Sequence, residues 1–82
     1  MKSIYLIDIK LKELKEKNIE NILKTFGFVK IGMWFNSANM QAYVTYACIK
    51  PAHLEKKIKE TFSEKIDDFT LRVINIDEFD EY

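Results

Sequence analysis

The chain has 82 residues, 48% of them apolar and 32% charged, with two glycines and one proline. That suffices for one globular domain with a small core and short connections, and it excludes a disordered chain. Thirteen basic and thirteen acidic residues cancel, unlike the strongly basic balance of a dedicated nucleic-acid binder, and the lone Cys48 excludes a disulfide framework.

The charge is unevenly placed. Residues 1–65 carry twelve lysines against seven acids, +5, and residues 66–82 carry one arginine against six acids, −5. The lysines read as solvated helix surface, with a basic patch as the alternative. No apolar run approaches the roughly 18–20 residues of a membrane span. The first apolar run is broken by Asp8 too early for a secretory leader. A cytoplasmic, reducing location is expected.

In chain order, residues 3–9 read as a strand rich in β-branched and aromatic residues, with Tyr5, Ile7 and Ile9 on one face and Ile4, Leu6 and Asp8 on the other. Leu11, Leu14, Asn18, Ile19, Ile22, Leu23 and Phe26 then recur at intervals of three and four, the stripe of one helix starting between Lys10 and Lys12. Gly27 stands where a left-handed C-cap belongs. In the alternative reading the strand runs to Leu11 and the helix begins near Asn18, a good N-cap residue. Residues 28–36 alternate, with Val29, Ile31, Met33 and Phe35 facing one way and Lys30, Gly32, Trp34 and Asn36 the other. The polar stretch from Asn36 to Asn39 reads as a turn, and residues 40–49 alternate again, so the two strands form a hairpin. Pro51 suits the first turn of a second helix, and Leu54, Ile58, Phe62 and Ile66 follow four apart. Residues 69–76 read as the last strand, and residues 77–82 as an acidic tail.

The predicted fold class is α+β: a ferredoxin-like βαββαβ domain over residues 1–76, with a four-stranded antiparallel sheet and two helices on one face. The other face would carry Ile4, Leu6, Trp34 and Tyr43 around Asp8, and that much apolar surface marks an interaction site. Three occupants are expected to compete for it. One is a second copy, sheets face to face or with the C-terminal segment crossing over. The others are a single-stranded nucleic acid stacked on aromatics and a different protein.

Asp8 is the residue that stands out chemically. A carboxylate among apolar side chains is costly unless paired or bound to a cation. Two copies meeting in a dimer could hold Mg²⁺ or Mn²⁺, which would activate water against a phosphodiester. The plainer reading places Asp8 at the sheet edge, solvated or paired with a lysine. His53 reads as a surface residue with no partner for a triad, and Cys48 as a small core residue. Gly27 and Gly32 lack the rest of a phosphate loop. Asp77, Glu78, Asp80 and Glu81 read as a solvated tail, or as a site for a cation or a basic partner.

Three stretches carry a family resemblance. They are Tyr5-Leu6-Ile7-Asp8-Ile9, then Phe26 to Lys30 running on to Met33-Trp34-Phe35-Asn36, and finally Pro51 to Glu60 with Asp68 to Val73. The whole resembles the CRISPR-adaptation family called Cas-two and its relative, virulence-associated protein D (VapD). The resemblance implies a ferredoxin-like homodimer and metal-dependent endonuclease activity on RNA or DNA. It makes Asp8 the catalytic and metal-binding residue, with Mg²⁺ or Mn²⁺ as cofactor. Lys10-Leu11-Lys12-Glu13 stands where the family often has arginines, and Met33-Trp34-Phe35 lacks its serine. The alternative is a non-catalytic interaction module, such as a small regulator or a phage- or plasmid-borne inhibitor, docking through its sheet face, edge strand or acidic tail.

Overall fold

The structure, a computed structural model, describes residues 2–67 and 69–76. Strand β1 spans Lys2–Lys10. It is followed by helices α1, Leu11–Glu16, and α2, Glu20–Thr25. Strands β2, Val29–Asn36, and β3, Gln41–Pro51, form the hairpin. A 3-10 turn at Ala52–Leu54 leads into α3, Glu55–Ser63, and β4 is Phe69–Asn75. The sheet runs β2-β3-β1-β4 with every neighbouring pair antiparallel. This α+β arrangement, an open four-stranded antiparallel sheet with three helices, is consistent with a small ferredoxin-like fold.

Tyr5, Ile7 and Ile9 of β1 and Val44, Tyr46 and Cys48 of β3 are buried beneath the helices, as the alternation predicts. Leu14, Ile19 and Leu23 close on them from one side, and Ile58, Phe62 and Ile66 from the other. Both helical segments therefore cover the same face. Among the described residues no helix covers the other face, here called the open face.

The expected single first helix is two. Asn18 adopts φ +51° between α1 and α2, a left-handed conformation that asparagine tolerates better than most residues. The break is invisible in the apolar spacing, because Leu14 and Leu23 reach the same core from separate helices. Pro51 also differs from expectation. It ends β3 and precedes the 3-10 turn rather than opening a helix. The Tyr5 hydroxyl ties down this corner, pointing at the carbonyls of Pro51 (2.7 Å) and Ala52 (3.0 Å).

Gly27 fills its expected role. Its φ is +82°. Its amide donates to the Lys24 carbonyl at 2.9 Å and that of Phe28 to the Leu23 carbonyl at 2.8 Å, which closes α2 as a Schellman cap. A Cβ there would meet only the flexible end of Lys50, 3.4 Å away, so the cost of a side chain lies in the backbone. Gly27→Ala is expected to lose about 1–2 kcal/mol, read as a thermal midpoint lower by about 4–8 °C per kcal/mol, with Gly27→Asn losing less.

The alternation in β2 is interrupted. A bulge between Lys30 and Gly32 shifts the register, so Val29 joins Gly32 and Trp34 on the open face, while Met33 and Phe35 stay on the helix side. The four expected face-mates are split because a bulge adds one residue without changing composition.

Candidate functional site

Directly paired residues of a sheet share a face, so the register orders the open side into rows. One row is Thr70, Asp8, Thr45 and Gly32, crossing all four strands. Beside it lies Arg72, Leu6, Ala47 and Val29, and beyond that Ile74, Ile4 and Ile49. Asp8 therefore sits at the middle of the sheet, not at its edge.

Its carboxylate is nearly sealed, with 8% of the side chain exposed, and its partners account for that burial. The Thr45 hydroxyl donates to Asp8 Oδ1 at 2.5 Å. Arg72, whose side chain is 55% exposed, reaches across one row to place Nη2 3.1 Å from Oδ2 and 3.3 Å from Oδ1. Trp34 Nε1–H donates to Thr45 Oγ1 at 3.0 Å. Each strand thus contributes one member: Trp34 from β2, Thr45 from β3, Asp8 from β1 and Arg72 from β4. A buried carboxylate is tolerable only when its charge is matched and its lone pairs are filled, and this network does both.

Aromatic packing extends the network. The Trp34 and Tyr43 rings stack at 4.6 Å and 14°, and Asn39 Nδ2 donates to the Tyr43 hydroxyl at 2.8 Å. Trp34, Tyr43, Asn36, Thr70 and Arg72 wall a depression of about 510 Å³, with Asp8 and Thr45 lining it. At the opposite end of the same face Ile4, Val29, Ile31, Ala47 and Ile49 line an apolar hollow of about 390 Å³.

Mg²⁺ and Mn²⁺ prefer several oxygen ligands in near-octahedral geometry. Asp8 supplies one carboxylate, and the Arg72 cation already lies against it. Among the described residues no three of His, Cys, Asp and Glu come together in a way that could hold a metal. The donor set of a single chain does not fit such an ion unless Arg72 leaves and a second copy adds oxygens.

The expected interface residues Ile4, Leu6, Trp34 and Tyr43 all lie on the open face. Ile4, Leu6 and Tyr43 are half-buried and Trp34 is exposed. His53 is exposed in the 3-10 turn, outside this site. Cys48 lies in the core. The helix lysines Lys12, Lys15, Lys24, Lys56, Lys57 and Lys59 are solvated. The acidic tail, 77–82, falls outside the described residues, as does Asp68. Among the described residues no helix is long and apolar enough to cross a membrane. Sequence reasoning missed Thr45 and Arg72. One signal was present: Arg72 is the single arginine of the chain, placed inside a strand.

Burial pushes the Cys48 thiol and the Tyr5 and Tyr46 hydroxyls above their ordinary ionisation ranges. The folded state then keeps protons that the unfolded chain releases. The associated stability is fully present below the unfolded values and is lost as pH climbs through the folded ones. The urea midpoint is expected to fall from about pH 9 upward, with no pH dependence from these groups near neutrality.

A scan against protein-family models finds no match, and a search of curated proteins finds none either.

Proposed function

We propose that this chain is a small homodimeric interaction protein of the Cas-two/VapD type, built on a ferredoxin-like βαββαβ fold, and that it acts by docking through its open sheet face rather than by cutting nucleic acid. One observation carries the reading. The Asp8 carboxylate is consumed within its own chain by Arg72 and Thr45, so it braces the sheet. Around it, exposed Trp34 and Ile49 and half-buried Ile4, Leu6 and Tyr43 form a face of aromatic and apolar anchors with a polar centre, the composition typical of protein interfaces.

A metal-dependent nuclease is the second reading, favoured by the position of Asp8 in the 510 Å³ depression beside a half-exposed guanidinium. Incubating the chain with labelled RNA and duplex DNA in Mg²⁺ or Mn²⁺ separates the two. Docking predicts no cleavage above a buffer control. Cleavage that Asp8→Asn abolishes, with the oligomeric state unchanged, would overturn it in favour of the nuclease.

A further inference from the structure

The depression beside Asp8 and Arg72 has a volume of about 510 Å³, within the range of about 300–1,000 Å³ usual for small-molecule sites. The hydrogen-bonding groups of its lining are unevenly engaged. Most of the acceptors already have partners. Both Asp8 oxygens meet Arg72 Nη2, and Oδ1 also receives the Thr45 hydroxyl. Thr45 Oγ1 receives the indole N–H of Trp34. Asn36 Oδ1 receives the Ala38 amide at 2.9 Å, and the Tyr43 oxygen receives Asn39 Nδ2.

The donors are in the opposite state. Among the described residues Arg72 meets Asp8 through Nη2 alone, which leaves Nε and Nη1 of a side chain with five N–H groups. Asn36 Nδ2 and the Tyr43 O–H have no partner among those residues either. Thr70, exposed and also lining the depression, adds a hydroxyl. A cavity whose acceptors are engaged and whose donors remain selects a ligand that accepts.

The charge is lopsided in the same sense. Among the described residues that line the depression only Asp8 and Arg72 are charged. The Asp8 side chain is 8% exposed and that of Arg72 55%, so the pair turns its positive end to solvent. Opposite charges 3.1 Å apart act at a distance as a dipole, whose attraction fades quickly. One carboxylate touching the guanidinium is favoured, whereas the further charges of a polyanion find nothing to pair with. The planar guanidinium also matches a carboxylate through two bonds. Trp34, Tyr43 and Phe69 supply the aromatic part of the lining, a flat apolar surface suited to a ring.

We propose that this depression binds a small aromatic monocarboxylate, with the carboxylate on the remaining donors of Arg72 and Asn36 and the ring against Trp34. The site goes beyond the docking reading and does not depend on it, because a chain that captures no partner still presents the same donors.

Titrating the full isotope-labelled chain with benzoate and following it by NMR tests this. Arg72 is the single arginine of the chain, so its Nε–H gives one unambiguous side-chain signal. That signal and the amides of Trp34 and Thr70 are expected to shift together and to saturate with a Kd of about 1 mM. Benzamide, the same ring without the charge, should bind at least about tenfold more weakly. Inorganic phosphate, with more charge and no ring, should also bind more weakly than benzoate. Asn36→Asp keeps the acceptor that Ala38 uses and replaces a donor with a negative charge. It should weaken benzoate at least about tenfold while the rest of the spectrum stays in place. An Arg72 signal that shows no saturable shift up to about 20 mM benzoate would overturn the site. Benzamide binding as tightly as benzoate would overturn the recognition of charge, and phosphate binding more tightly would overturn the preference for a single charge beside a ring. An Asn36→Asp chain that binds benzoate like the wild type would contradict the assignment of the donors.

Discussion

Replacing Phe62 with alanine is expected to remove a large share of the domain's stability. Phe62 is fully buried on α3. Its ring meets Phe26 at 5.6 Å, Phe28 at 5.7 Å edge-on and Phe69 at 6.5 Å. These three partners come from the end of α2, the entry to β2 and the start of β4, so one side chain joins three parts of the chain. Phe→Ala in a core costs about 3–5 kcal/mol. A domain of this length has roughly 4–12 kcal/mol in all. Urea unfolding should show the loss as a lower midpoint with an unchanged slope, and Phe62→Leu should retain most of the stability. A loss under about 1 kcal/mol for the alanine variant would mean that the cluster is not the joint described. The consequence reaches the open face, because Phe69 begins the strand that carries Arg72.

The second large effect is asymmetric. Arg72→Ala should destabilise by about 2–3 kcal/mol, because it leaves a buried carboxylate without its charge partner. Asp8→Asn should cost only about 1 kcal/mol, because Asn still accepts from Thr45 and the released guanidinium is already half in water. The double variant should be more stable than the sum of the two losses predicts, since removing the carboxylate removes the reason Arg72 was needed. Additive losses would show that the 3.1 Å pair contributes nothing to stability. The cycle separates a structural Asp8 from a free one without any assumption about substrate.

What was legible in the sequence was local. The two faces of β1 follow from strict alternation. The hairpin follows from two alternating runs and a polar turn, and α3 from apolar residues four apart. The misses have different physical origins. The break at Asn18 preserves the apolar stripe, so periodicity passes over it. The bulge at Ile31 hides in a run that alternates on paper, although it moves Val29 to the other face. The partner of Asp8 lies 64 residues away and becomes its neighbour only through the order of strands. Asp8 itself was legible, because a charge inside an apolar strand demands compensation. Whether that compensation is a lysine, a metal or Arg72 depends on which strand lies beside β1, and composition does not carry that.

We propose that Asp8 braces the sheet through Arg72 and Thr45 rather than ligating a metal. Manganese relaxation measured by NMR on the labelled chain tests it most directly. Mn²⁺ bound at Asp8 would broaden the signals of Thr45, Thr70 and Leu6 first, because they neighbour it in the sheet. With the carboxylate held by Arg72, those signals should stay sharp at micromolar Mn²⁺, while exposed carboxylates of the helices broaden weakly if at all. Selective broadening centred on Asp8 at those concentrations, abolished by Asp8→Asn, would contradict the account.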